Sequence, residues 1–222
     1  MAEAAPEHPL AEAAVEALGG TPAHVERPPV SPLRPLLPEA LARAIGAFDA
    51  AAERTFDRHL RGRPVADRVL FTASALGDFS ILWHLVGGGR ALVSPPFRPA
   101  ARRLAVALAV ESLVVNWGVK SLVRRARPTG HHLRPHRLRR PRTSSFPSGH
   151  ATSGFLAATL LSSGSPAGLG WYAVAAAVAA SRVHVRIHHA SDVVAGAAMG
   201  VVAGRLVRRH WALPDEQDPA PP

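Results

Sequence analysis

Hydrophobic residues in this chain are concentrated in five blocks that follow a polar amino-terminal region. The blocks cover residues 66–88, 103–123, 149–164, 168–187 and 190–208. A helix needs about 20 mostly apolar residues to cross a bilayer, with a range of about 17 to 25. Four blocks are long enough, and the block at 149–164 is marginal. The pattern predicts an all-α fold, a multi-pass transmembrane helical bundle of about five spans.

Polar residues interrupt the first two blocks at Asp78, His84, Glu111 and Asn116. They leave a soluble helical bundle open as an alternative. Ionisable groups inside membrane helices are costly, and they usually face the bundle interior or a functional cavity. This preference favours the membrane bundle.

The amino-terminal region divides into two parts. Residues 1–38 contain eight prolines and no apolar run, which predicts a loosely ordered extension rather than a secretory signal. Residues 39–64 are interpreted as an amphipathic helix and linker, and such a helix can lie on a membrane surface. The main domain is then expected at 65–210, followed by a polar tail at 211–222.

Charge narrows the choice of partner. The net charge is +10 and the isoelectric point is about 11.6, which indicates an anionic partner: nucleic acid, an acidic membrane surface or a phosphorylated substrate. The chain has no cysteine, so disulfides, thiolate metal sites and cysteine nucleophiles are excluded. Lys120 is the only lysine among 26 basic residues, which suggests a specific role for it.

An arginine-rich segment at 124–150 separates the second and third apolar blocks. It contains eight arginines, and its prolines at 128, 135, 141 and 147 exclude a long helix. We predict a loop with a concentrated positive field.

Three short motifs lie at the ends of this loop and near the carboxyl terminus. They are KSLVRRARP at 120–128, PSGH at 147–150 and SRVHVRIHHASD at 181–192. In these motifs the chain resembles the type 2 phosphatidic acid phosphatase (PAP2) superfamily, which includes vanadium-dependent haloperoxidases and whose patterns are KxxxxxxRP, PSGH and SRxxxxxHxxxD. The resemblance covers about residues 65–208 and is to the membrane lipid phosphatase branch.

The chemistry of phosphate transfer accounts for these residue types. Lys120, Arg127 and Arg182 supply positive charges for the phosphoryl oxygens, and arginine can bind such oxygens with two parallel hydrogen bonds. Ser148 and Gly149 precede an apolar helix, where backbone N–H groups can bind an anion. We therefore predict a phosphate-binding site.

The resemblance implies how the remaining residues act. His188 attacks phosphorus to form a phosphohistidine, and His150 protonates the leaving oxygen. Asp192, four residues after His188, is expected on the same helical face, where it can accept a hydrogen bond from the nucleophile. The implied activity is hydrolysis of a lipid phosphate or diphosphate of the polyprenyl or phosphatidate type, in the cell membrane and without a metal or other cofactor.

Several alternatives remain open. His184, His188 and Asp192 follow at four-residue steps and could hold a metal ion on one helical face. A vanadate-dependent haloperoxidase uses the same kind of pocket, but those relatives are generally soluble. A non-catalytic protein that binds acidic lipid or nucleic acid explains the charge but not the motifs. Aromatic residues make up only 5% of the chain, which argues against nucleic acid.

Two points are left as hypotheses. Arg186 stands where many relatives have glycine, and it is interpreted as a cation that favours a substrate with an additional phosphate. The arginine count places the site on the cytoplasmic side, whereas the resemblance implies that the site faces away from the cytoplasm.

Overall fold

The computed structural model describes residues 38–128, 143–163 and 167–213. The extension predicted for residues 1–38 therefore lies almost entirely outside the described residues, as do the centre of the arginine-rich loop and most of the polar tail. The described part of the chain contains helices and no strands, which confirms the all-α prediction.

Seven helices make up the described fold. They are α1 (Glu39–His59), α2 (Pro64–Leu76), α3 (Ile81–Val93), α4 (Arg98–Leu113), α5 (Gly149–Leu161), α6 (Gly168–His184) and α7 (Ala190–His210). Helix α4 continues through a π-helical segment, Val114–Val119, into a last turn at Lys120–Leu122.

Local sequence sets several helix ends. Pro64 begins α2, where a proline loses no helical hydrogen bond. Ser148 caps α5, because its side chain accepts a hydrogen bond from the N–H of Ala151. His189 and Asp192 form a reciprocal capping box at the start of α7. Two of the three motifs thus contain the residue that caps a helix.

Helix α5 occupies the centre of the bundle, where it packs against α4, α6 and α7. Most of its residues are buried. Its contact with α7 depends on three glycines one turn apart, Gly196, Gly200 and Gly204. A Cβ atom at Gly196 would lie only 2.6 Å from the carbonyl oxygen of Ser148. Small residues therefore allow the two backbones to approach closely.

Two helical stretches in the described residues are long and apolar enough to cross a membrane, namely Pro95–Leu122 and Ala190–His210. The bent pair α2 and α3, whose axes differ by 70°, raises the number to three if it forms one broken span. Helices α5 and α6 have 13 and 17 residues. The prediction of five spans therefore stays a prediction.

Candidate active site

The three motifs meet at one cavity of about 810 Å³. Lys120 comes from the last turn after α4, His150 from the first turn of α5, and Arg182 from the end of α6. Arg127 and His188 come from the segments between helices. The predicted site residues that line the cavity are Lys120, Arg127, Gly149, His150, Arg182 and His188.

His188 is buried, and its ring is oriented by the backbone. Its Nδ1 lies 2.6 Å from the carbonyl oxygen of Ser145. Because a carbonyl can only accept a hydrogen bond, Nδ1 carries the proton and Nε2 bears the lone pair. Nε2 lies 3.4 Å from Nη1 of Arg127, on the cavity wall. Burial lowers the pKa of the imidazole to about 3, so the ring is neutral at physiological pH.

Asp192 lies next to His188, but the two residues do not share a helical face as the sequence predicted. His188 precedes α7 rather than lying within a helix, because the chain turns between Val185 and His189. The carboxylate oxygen Oδ2 is 3.8 Å from Nδ1 of His188, which is longer than a hydrogen bond. Instead, Oδ2 accepts the N–H of His189 at 2.9 Å, and Oδ1 accepts Nη1 of Arg125 at 2.5 Å. Asp192 therefore fixes the start of α7 next to the nucleophile.

Ser148 is not among the residues that line the cavity. It is fully buried behind the cavity wall, and its N–H donates to the carbonyl of Asp192 at 3.1 Å. That N–H is therefore already bonded within the protein, and the phosphate-binding role of Ser148 stays a prediction. The neighbouring Gly149 does line the cavity, with the Nζ of Lys120 3.6 Å from where its Cβ would be.

His150 has a carboxylate partner that sequence reasoning did not assign. Its Nε2 lies 3.0 Å from Oδ1 of Asp78, in the turn between α2 and α3. The adjacent Gly77 allows this approach, since a Cβ there would lie 2.5 Å from Cδ2 of His150. The only signal in the sequence was the presence of Asp78 as a charged residue inside an apolar block.

The cationic residues are held by neutral groups. Arg127 donates from Nη1 to the carbonyl of Ile187 at 2.8 Å, and from Nη2 to the carbonyls of Thr143 and Ser144, both at 3.1 Å. Arg182 is buried and donates from Nη1 to the hydroxyl of Ser74. These neutral acceptors orient the guanidinium groups at the cavity, which suits an anion site.

The polar residues of the first two apolar blocks also face the cavity. Asp78, His84, Glu111 and Asn116 all line it, as predicted for polar residues inside the apolar blocks. Asn116 accepts a hydrogen bond from Nζ of Lys120 at 2.8 Å. The interruptions in the hydropathy pattern thus lie on the cavity wall together with the motif residues.

The histidine spacing does not build a metal centre. His184 turns away and pairs through Nε2 with Oδ1 of Asp67 at 2.8 Å. Within residues 38–128, 143–163 and 167–213, no group of three His, Asp or Glu side chains is placed to hold a metal ion. Arg186 is absent from the described cavity wall and instead pairs with Glu53 and Asp57 of α1.

The chain is similar to known proteins in its sequence pattern and in its fold. A family model described as the PAP2 superfamily matches residues 100–213. No curated protein matches the chain significantly in sequence. A crystal structure of the first transmembrane PAP2 type phosphatidylglycerolphosphate phosphatase from Bacillus subtilis is similar, with 22% identity and a TM-score of 0.58 over 78% of this chain and 87% of that one. The structure of Aquifex aeolicus LpxE is also similar, with 22% identity and a TM-score of 0.55 over 70% of this chain and 93% of that one.

Proposed function

Because the chain belongs to the PAP2 superfamily, we propose that it is a metal-independent membrane phosphatase that hydrolyses a lipid phosphate or diphosphate. The observation that carries the proposal is the convergence of a neutral His188 with Lys120, Arg127 and Arg182 on one cavity. The phosphatase domain is proposed to span residues 65–210.

The proposed reaction begins with the phosphoryl group in the cavity. The positive charges of Lys120, Arg127 and Arg182 neutralise its oxygens, which lets a neutral nucleophile approach. Nε2 of His188 forms a bond to phosphorus while the bond to the leaving oxygen breaks. His150 gives a proton to that oxygen, so the lipid leaves as an alcohol or, from a diphosphate, as a monophosphate.

A second step returns the enzyme to its starting state. Water attacks the phosphohistidine, His150 takes a proton from the water, and inorganic phosphate leaves with Nε2 of His188 free again. The proton on Nδ1 stays hydrogen-bonded to the carbonyl of Ser145 throughout. The pairing of His150 with Asp78 supports this role, because a carboxylate 3.0 Å from Nε2 holds the imidazole in place at the cavity.

A lipid substrate is supported by what surrounds the cavity. Helix α4 and its continuation form a candidate membrane span that carries Lys120 at its end. Side chains of this span such as Leu113 and Trp117 are largely exposed, as expected for residues that face lipid. A phosphate headgroup can therefore reach the cations while its apolar chains stay in the bilayer.

A phosphate-release assay on the purified protein in detergent tests the proposal. The substrates are a polyprenyl diphosphate, a polyprenyl phosphate, phosphatidate and phosphatidylglycerol phosphate, each with and without a chelator. We expect release from at least one of them in both conditions, and none from His188→Ala. The matched control is His59→Ala, which removes an exposed histidine of α1. Loss of activity with the chelator contradicts metal independence, and full activity of His188→Ala contradicts the assigned nucleophile.

A further inference from the structure

Helix α1 carries three carboxylates at four-residue steps, Asp49, Glu53 and Asp57, which share one face of the helix. The helix lies outside residues 100–213, which the family model matches. It nevertheless packs against α6 and α7, on either side of the segment that holds His188. The carboxylates meet three arginines at this contact: Arg61, Arg125 and Arg186.

Asp49 is the buried member of the set. Its Oδ1 accepts the N–H of Ser191 at 2.8 Å, and its Oδ2 accepts the Ser191 hydroxyl at 2.8 Å and Nη2 of Arg125 at 2.6 Å. The other amino group of Arg125 binds Asp192 at 2.5 Å. Arg125 therefore bridges the carboxylate of α1 and the carboxylate that fixes the start of α7.

Arg186 lies two residues before His188 and has a left-handed backbone, with φ of +52°. This conformation is unfavourable for a residue with a side chain. Its Nε donates to Oε1 of Glu53 at 2.6 Å, and its Nη2 donates to Oδ1 of Asp57 at 2.6 Å. These ion pairs stabilise the turn that brings His188 into the cavity.

Arg61 reinforces the same contact from the connection between α1 and α2. Its Nε donates to the carbonyl of His184 at 2.9 Å and its Nη2 to the carbonyl of Val183 at 2.6 Å. Its Nη1 binds both Glu53 and Asp57 at 2.8 Å. The last turn of α6 and the segment after it are thus both fixed to α1.

We propose that α1 is a positioning element for the nucleophile, with Asp49 as a positioning residue that acts through Arg125 and Asp192. The inference rests on the proposed function, since it concerns the same site. A reactive group must be held within about 0.5 Å of its productive position. The segment that carries His188 lies between helices and obtains this rigidity from the carboxylates of α1.

Steady-state kinetics of Asp49→Asn test the proposal. The variant keeps the shape of the side chain and removes its charge. We expect kcat to fall by about 10- to 100-fold, the range found for groups that orient the ligands of metal centres, with KM changed less than about threefold. The matched control is Glu39→Gln, which removes an exposed ion pair of α1 with Arg43 and should keep the kcat of the wild type. A kcat equal to that of the control, or a rise in KM alone, overturns the proposal.

A second measurement needs no turnover. The Nδ1 proton of His188 is hydrogen-bonded to Ser145 in a buried site, so it exchanges slowly with water. In histidine-labelled protein, NMR should detect faster exchange of this proton in Asp49→Asn than in Glu39→Gln. Equal exchange overturns the positioning role. A wild type that shows the protected proton but releases phosphate from no substrate contradicts the proposed function alone.

Substitutions of Arg186 give a test that does not alter Asp49. Glycine adopts a positive φ readily, whereas alanine keeps the penalty and loses the ion pairs. We expect Arg186→Ala to lower kcat at least about tenfold, and Arg186→Gly to retain more activity than Arg186→Ala. An Arg186→Ala variant with the kcat of Glu39→Gln would overturn the role of these ion pairs in holding the turn.

Discussion

The Nδ1 atom of His188 donates its proton to the carbonyl oxygen of Ser145, at 2.6 Å, while the carboxylate of Asp192 stands 3.8 Å from the same nitrogen. The backbone therefore selects the tautomer that exposes Nε2. The Asp192 carboxylate lies farther from the ring than the Ser145 carbonyl does. It can still stabilise the positive charge that the His188 imidazole gains when it attacks phosphorus. We therefore expect the activity to depend less on Asp192 than on His188.

We expect Asp192→Asn to be much less harmful than His188→Ala. The tautomer is kept by Ser145, so the loss should be about 10- to 100-fold in kcat, in line with groups that orient reactive residues. His188→Ala should lose about 10⁴-fold or more, since it removes the nucleophile. Phosphate release at saturating substrate concentration measures kcat for both variants. Asp67→Asn, at a carboxylate paired with His184 outside the described cavity wall, is the control.

An equal loss in Asp192→Asn and His188→Ala would contradict this assignment. It would mean that Asp192 is as necessary as the nucleophile itself, as in a catalytic triad whose carboxylate fixes the tautomer.

Gly77→Ala should displace the general acid. A Cβ at this position would lie 2.5 Å from Cδ2 of His150 and 2.8 Å from Cγ1 of Val178. At these distances a neighbour must shift, and we expect His150 to move away from Asp78. General acid catalysis contributes about 10²- to 10⁴-fold. We expect kcat to fall by at least about tenfold, with a smaller change for a substrate whose leaving group is a good one, such as a nitrophenyl phosphate. Gly88→Ala in α3 is the control, because nothing lies within 4 Å of its Cβ position.

A loss that is the same for good and poor leaving groups would contradict the interpretation of Gly77. It would indicate a general disturbance of the bundle instead of a defect in protonation of the leaving oxygen.

The motif residues could be predicted from the sequence better than their surroundings. Lys120, Arg127 and Arg182 line the cavity, and the resemblance of the motifs to the PAP2 patterns had identified each of them. The role of Ser145 could not be predicted, since a carbonyl acceptor depends on the path of the backbone and not on the side chain. The ion pairs of Arg186 could not be predicted either, because their partners are far away in the sequence. Asp57 precedes Arg186 by 129 positions and Glu53 by 133 positions.

Helix periodicity also misled the assignment of Asp192. The four-residue step from His188 assumes a continuous helix, whereas the chain turns at Arg186 with a positive φ and begins α7 only at Ala190. An arginine gives no local signal for such a turn, since the conformation is stabilised by Glu53 and Asp57. The distant contact overrides the local pattern.

The stability of the protein should depend on pH through His188. Burial lowers the pKa of its imidazole to about 3, whereas in the unfolded chain the value is about 6.5. Between these values the unfolded state binds a proton that the folded state does not, so the free energy of unfolding falls as the pH is lowered from about 6.5. We expect the melting temperature of the wild type in detergent to fall more steeply from pH 7 to pH 4 than that of His188→Gln. Identical slopes for the two proteins would contradict the buried neutral state.

The glycines of α7 should matter for stability rather than for chemistry. A Cβ at Gly200 would meet the carbonyl oxygen of Thr152 and lie 2.9 Å from the backbone nitrogen of Leu156, and neither backbone atom can move without shifting α5. We therefore expect Gly200→Ala to destabilise the fold by about 1–3 kcal/mol, the range for overpacked cores. Gly46→Ala in α1 meets nothing within 4 Å, and should instead stabilise its helix by up to about 1 kcal/mol. Thermal unfolding in detergent measures both, and a Gly200→Ala variant as stable as Gly46→Ala would show that α5 and α7 are not packed as closely as the structure describes.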